Sequence, residues 1–238
     1  MKSIGAAALG SLLVSISLLG CTQSLIYSPF ANLPPKPLVQ GQTQAQAGVG
    51  YFPETRPHKV PNETATGGEA SFRFAICDHF TLQGKAWRDL SDNLERENRW
   101  GASLSIIAML NGPSHFRVGL MPTAAFVFGH GDLQGGGGGL HVCFWFTKYN
   151  PFDFYASLGP AFGMRAESSR KRDWGWGILM NVGAAVLAKN HLTINLELCW
   201  IKAVNEYEDR KDYFLCPTVN IGYIFDRRQK QSQPETVP

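Results

Sequence analysis

Leu192-Thr193-Ile194-Asn195-Leu196-Glu197-Leu198-Cys199-Trp200 alternates apolar and polar side chains almost without a break. Successive side chains of an extended chain point to opposite faces. This stretch therefore sets Leu192, Ile194, Leu196, Leu198 and Trp200 on one side, with Thr193, Asn195 and Glu197 on the other. Period two over this length means a strand with two unlike faces. The same signal recurs along the chain and predicts ten strands, at about 44–52, 68–76, 80–88, 100–110, 116–128, 138–147, 153–165, 174–188, 192–201 and 213–225. The apolar faces, such as Phe72/Phe74, Leu104/Ile106 and Val219/Ile221, carry no charged residue. The opposite faces carry Arg73, Lys85, Arg117, His141, Arg165 and Glu197 among Ser, Thr, Asn and Gln.

A soluble barrel would turn the apolar face inward, and a transmembrane barrel would turn it onto lipid. Three features favour lipid. The strands have the 9–11 residues or more that a tilted span needs. Aromatics gather toward both strand ends of the apolar face, as in interfacial girdles (Phe126, Phe128, Trp174, Trp176, Trp200 and Tyr213; Phe80, Phe116, Phe144, Phe154, Tyr223 and Phe225). The polar face is crowded with small residues, where a soluble exterior would carry more Lys and Glu. Long connections (53–67, 89–99, 129–137, 166–173, 202–212) alternate with short ones (77–79, 111–115, 148–152, 189–191), as external loops alternate with periplasmic turns. The fold expected is an all-β, antiparallel, up-and-down transmembrane barrel of ten strands, with eight to twelve as the range. Pro122, Pro160 and Pro217 fall inside strands, where each removes a ladder donor, so local bulges are expected there.

Composition agrees. The chain has 238 residues, 44% apolar and 17% charged, with a net charge of +3. This excludes a largely disordered chain, and the mild charge gives no argument for nucleic acid. No apolar run after residue 20 reaches the ~18 residues of a membrane helix. Lys2 followed by the uncharged run Ile4 to Leu19 reads as a signal peptide. Its ending, Leu18-Leu19-Gly20-Cys21, resembles a bacterial lipobox, which implies acylation of Cys21 by palmitate-type chains. The domains expected are a lipoprotein signal peptide at 1–20, a lipidated proline-rich tether at 21–43, the barrel at 44–225 and a polar tail at 226–238.

Several short motifs carry a family likeness. Cys21 is followed by Tyr27-Ser28-Pro29, Asn32-Leu33-Pro34, Gln40-Gly41-Gln42 and Ala45-Gln46-Ala47-Gly48-Val49, then by a hairpin at Phe74-Ala75-Ile76-Cys77-Asp78-His79-Phe80. On these residues the chain resembles a group of lipid-anchored outer-membrane β-barrel proteins of Gram-negative bacteria. The resemblance implies a tether, a first strand and a strand–Asp-His–strand hairpin in an outer-membrane barrel, with no settled activity. Val219-Asn220-Ile221-Gly222-Tyr223-Ile224-Phe225 resembles the terminal signal read by the barrel-assembly machinery, although residues 226–238 follow it here.

The candidate site is the enclosed polar face. Arg73, Lys85, Arg117, His141 and Arg165 would meet Glu69 and Glu197 there, and buried charges need partners. They read as an ion-pair network filling the lumen, or alternatively as a basic passage or small-ligand site. Ten strands leave little room, since eight are already filled by side chains. A hairpin turning within 202–212 would set Cys199 opposite Cys216. The pair is then either a disulfide or two small free side chains. Cys77 and Cys143 have no evident partner. His79, His115 and His191 fall at three separate turns, so no metal site is expected. Asp78-His79 resembles a protease dyad but lies at the wrong end of the barrel, and His191 with Thr193 and Glu197 resembles a lipid-A deacylase without its facing. Gly135 to Gly139 lacks the Lys-Ser/Thr of a P-loop and reads as an external loop. Arg170-Lys171-Arg172 and Asn62-Glu63-Thr64 read as solvated loop sequence.

No catalytic residue or cofactor is expected. The partners expected are outer-membrane lipid, through Cys21 and the barrel exterior, the assembly machinery, and an unidentified surface partner. The first functional expectation is a structural or surface-interaction role. The alternatives are a narrow channel or ligand-binding barrel, and a membrane-tethered soluble lipocalin-like binder.

Overall fold

Ten alternating segments in a bilayer can satisfy every backbone donor only by pairing neighbour to neighbour and closing the ring, which removes both edges. The computed structural model describes residues 37–53, 64–90, 100–110, 115–129, 132–149, 152–166, 172–188, 191–205 and 210–226. The strands are β1 (Gln42–Pro53), β2 (Thr64–Cys77), β3 (Phe80–Asp89), β4 (Trp100–Leu110), β5 (Phe116–Gly129), β6 (Asp132–Tyr149), β7 (Phe152–Ala166), β8 (Arg172–Ala188), β9 (Leu192–Asn205) and β10 (Arg210–Asp226). Each pairs antiparallel with the next, and β1 pairs with β10 from Gln42↔Asp226 to Gly50↔Thr218. The fold is a closed ten-stranded up-and-down barrel. Its near end holds the start of β1, the end of β10 and the turns at His79, His115 and His191. The far end holds the other connections.

The faces point as the alternation requires. Phe72, Ile221 and Leu196 are 54%, 57% and 60% exposed on the outside, while Arg73, Asn195 and Asn220 are completely buried within. A soluble lipocalin-like binder needs the reverse, so that alternative is overturned. The girdles are present as ring contacts. Trp100 stacks on Phe128 at 4.2 Å toward the far end. At the near end Phe116 meets Phe144 and Phe146, and Tyr223 meets Phe225.

Three expectations are corrected. The strands run further at the far end than their hydropathy suggests. Gly135 to Gly139 is not a loop: it lies inside β6, with Gly136 opposite Phe126 and Gly138 opposite Phe162. A Cβ on Gly136 would press 3.1 Å from the Phe126 ring, so that ring covers the backbone where a side chain is missing. The prolines make no bulges. Instead the ladder skips two successive positions, the proline's own and the next, at Pro122 on its β4 side and at Pro160 on its β6 side, without changing register, and the β1 ladder on β10 stops at Thr218, next to Pro217. A missing N–H thus costs a bond on one side only, and the other side stays paired (Pro122↔Leu140, Pro160↔Ile178, Pro217↔Leu198). The register shifts fall elsewhere, at Ala75/Cys77, Val127/Phe128 and Phe146/Tyr149.

The third correction concerns the tether. Its last residues belong to the barrel: Leu38 is buried with Ala75 and Ile224 inside the near mouth. Gly41 takes a positive φ of 86°, a region where only glycine is at ease, and turns the chain into β1. The Gln40 backbone N–H donates to Asp78 Oδ1 at 2.8 Å, and Gln42 Nε2 donates to Asp226 Oδ2 at 2.9 Å, fixing this entry. The segment expected to be a signal peptide (1–20), Cys21, Arg170-Lys171, Asn62-Glu63 and residues 227–238 lie outside the described residues.

Candidate functional site: a filled lumen

Inward positions are fixed by strand parity, so the lumen can be built strand by strand. Arg73 of β2 sits at the centre of one wall. Its Nε donates to Gln83 Oε1 at 2.8 Å, and one terminal nitrogen donates to both Gln44 Oε1 and Gln46 Oε1, at 2.9 and 2.8 Å. Gln44 Nε2 passes the chain on to Thr193 Oγ1 at 3.2 Å. Beside it, Lys85 Nζ is 3.5 Å from Glu69 Oε2. Both cations also lie within Coulombic reach of Glu197. Two cations and two carboxylates therefore share one enclosed space. Removal of an ion from water costs several kcal/mol, and only close partners offset it. The buried quartet sets two basic side chains against two acidic ones.

The facing wall, from β4 to β8, carries an apolar block among the buried Ser105, His141, Ser157 and Asn181. Ile107, Met109, Met121, Cys143, Trp145, Tyr155 and Ala185 form one buried cluster. Tyr155 joins the two walls: its ring packs in this cluster, and its hydroxyl donates to Glu197 Oε2 at 3.1 Å. Large side chains sit against glycines that leave them room, with Tyr155 over Gly183, Trp145 against Gly119 and Trp87 against Gly101. Alternation of small and large residues is how a small barrel fills its taper. Nearer the far end Ala161, Leu179, Cys199, Ile201 and Cys216 form a second cluster.

A water-wide passage would leave the side chains along it wet. Every strand instead contributes at least one inward side chain that is 2% exposed or less: Gln44, Arg73, Gln83, Ile107, Met121, Cys143, Ser157, Asn181, Asn195 and Asn220. Among the described residues, the middle of the lumen is filled by packed side chains.

The residues singled out from sequence separate in space. Arg73, Lys85 and Glu197 join Glu69 in the quartet. His141 is buried on β6 beside Gly139 and is not among the groups in Coulombic contact with it. Arg117 is only half-buried, near the mouth of β5. Arg165 occupies a β7 position opposite Gly135, and its side chain is outside the described residues. Cys199 and Cys216 are direct partners across β9 and β10 and both are fully buried; they, the buried Cys143 and the half-buried Cys77 are all free thiols. The three turn histidines share a structural task. The carbonyls of His79, His115 and His191 accept from Met109, Thr147 and Ile224 respectively. Among the described residues no three metal-ligating side chains converge.

Sequence reasoning missed Gln44 and Gln46, because β1 is too rich in Ala and Gly to declare a face. It also missed Trp145, which is hidden between Phe144 and Phe146 in a run with no polar contrast. Counting parity outward from His141 finds Trp145.

The fold and its inverted surface define a class, that of transmembrane β-barrels. No family model and no curated protein matches the chain. Among solved structures it is similar to an outer membrane channel from Pseudomonas putida F1 at 13% identity and a TM-score of 0.56, covering 82% of this chain and 100% of that one. It is also similar to the outer membrane protease OmpT from Escherichia coli (11%, TM-score 0.43, 82% and 96%) and to the KdgM porin (8%, TM-score 0.38, 76% and 99%). At these identities the first likeness speaks for the fold alone, and the other two carry no argument.

Proposed function

We propose that this chain is a lipid-anchored integral protein of a bacterial outer membrane, and that it works through its exposed rim rather than by conduction or catalysis. The observation that carries this reading is the closed mid-lumen, sealed from all ten strands. A barrel filled in this way offers its surroundings only its ends and its lipid face. The near end faces the periplasm in this reading. There Leu38 fixes the tether inside the mouth, and an acylated Cys21 seventeen residues upstream reaches the inner leaflet of the same membrane, since an extended chain spans at most about 3.3–3.6 Å per residue. The far end then presents the connections after β1, β3, β5, β7 and β9 to the outside.

A narrow channel is the second reading. It is favoured by the fold likeness to a protein named as an outer membrane channel and by Arg117 near the mouth. Planar-bilayer recording separates the two. The proposed role predicts no stable current from the wild-type barrel. Steady conductance steps whose ion selectivity inverts in Arg117→Glu would establish the channel instead. Fractionation tests the anchor: Cys21→Ser is expected to lose the acyl mass yet remain in the detergent-extracted membrane fraction. Its release by carbonate would contradict an integral barrel.

A further inference from the structure

Cys199 and Cys216 are directly opposed in the β9–β10 ladder, between the pairs Trp200↔Leu215 and Leu198↔Pro217. Directly opposed residues of antiparallel strands have Cα atoms about 4.5 or 5.5 Å apart, depending on the type of pair. Both values fall within the roughly 4.4–6.8 Å that a disulfide spans. Parity points both side chains inward, into the same buried cluster with Ala161, Leu179 and Ile201. The remaining thiols are placed otherwise: Cys143 belongs to the cluster of the apolar wall, and Cys77 ends β2 at the near end. Of the four described cysteines, only this pair shares a rung.

We propose that Cys199 and Cys216 are a disulfide-forming site, and that the bond closes on the unfolded or hairpin-stage chain before the barrel shuts. The step needs an oxidant protein that carries a reactive disulfide, of the kind an oxidising periplasm supplies. One thiolate, having lost its proton to solvent, attacks the oxidant's disulfide to give a mixed disulfide. The second thiolate displaces the oxidant. The chain loses two protons and two electrons, and the oxidant leaves as a dithiol. Timing follows from burial, because both sulfur-bearing residues have zero exposure once the ring is closed. An oxidant cannot reach them in the finished barrel, and neither can a reductant. A chain folded without oxidant keeps both thiols. The bond staples the hairpin that supplies the last strand, β10, whose pairing with β1 closes the barrel.

The test uses wild-type protein exported to the outer membrane, denatured with N-ethylmaleimide and no reductant, then cut with trypsin. Cleavage after Lys189, Lys202, Lys211 and Arg227 puts Cys199 on peptide 190–202 and Cys216 on peptide 212–227. The expected result is one species with the summed mass of these two peptides less two hydrogens, separable by reductant, with Cys77 and Cys143 alkylated. Protein made as reduced inclusion bodies and folded into detergent is expected to keep four thiols, and to resist added oxidised glutathione until it is unfolded. Alkylation of all four cysteines in the exported protein, or a link to Cys77 or Cys143, would overturn the proposal. Rapid oxidation of the folded reduced barrel would overturn its timing.

Discussion

The two walls of the lumen solve one packing problem with opposite chemistry. Between β10 and β3 the space is filled by Arg73, Lys85, Glu69 and three glutamines held in a chain of hydrogen bonds. Between β4 and β8 the largest block is the apolar cluster of Ile107, Met109, Met121 and Trp145, packed among Ser105, His141, Ser157 and Asn181. The apolar wall tolerates exchange as long as volume is kept, because dispersion contacts have no direction. The polar wall is stable only when every member is present, since each absent partner strands a buried charge. The difference teaches where this barrel is brittle.

The largest effect is expected from Arg73→Met. It nearly preserves volume but leaves Glu69 and Glu197 with Lys85 alone, so the barrel loses about 3–5 kcal/mol, read as a lower urea midpoint in lipid vesicles. Leu196→Arg attacks the back of the wall. On the lipid face a charge costs about 2–4 kcal/mol at mid-bilayer, seen as reduced heat-modifiable folded protein on gels. Tyr155→Phe keeps the ring over Gly183 but removes the donor to Glu197, costing about 1–3 kcal/mol in the same urea titration. Met121→Leu, inside the apolar wall, is expected to cost less than about 1.5 kcal/mol. If Met121→Leu proves as damaging as Arg73→Met, the contrast between the walls is false.

The strands were legible because a lipid face and a lumen face write their difference into alternate residues, as in Leu192 to Trp200. All ten were found, and so was the pairing of Cys199 with Cys216, because hairpin register follows from the turn. The glycine run of β6 was illegible: glycine carries no hydropathy, and only the neighbouring Phe126 and Phe162 reveal it as strand. Leu38 was hidden among prolines that signal a spacer, and nothing local announces that one leucine turns back into the mouth. The lumen charges were found residue by residue, but their grouping was not. Which of them meet depends on tilt and stagger around the ring, which no single strand encodes. Hence Arg73, Lys85 and Glu197 come together while His141 and Arg117 stand apart.

The central claim is that the apolar side chains face hydrocarbon and that packed side chains fill the middle of the lumen. Two tryptophans report it directly: Trp176 lies on the outer face, 37% exposed, and Trp145 is fully buried inside. Single-tryptophan barrels, with the other five replaced by Phe, can be placed in vesicles of brominated lipid and titrated with aqueous iodide. The account predicts that brominated lipid quenches Trp176 strongly, whereas Trp145 resists both quenchers. Iodide quenching of Trp145 would mean a wet lumen, and lipid quenching of Trp145 with none at Trp176 would mean that the barrel is inside out.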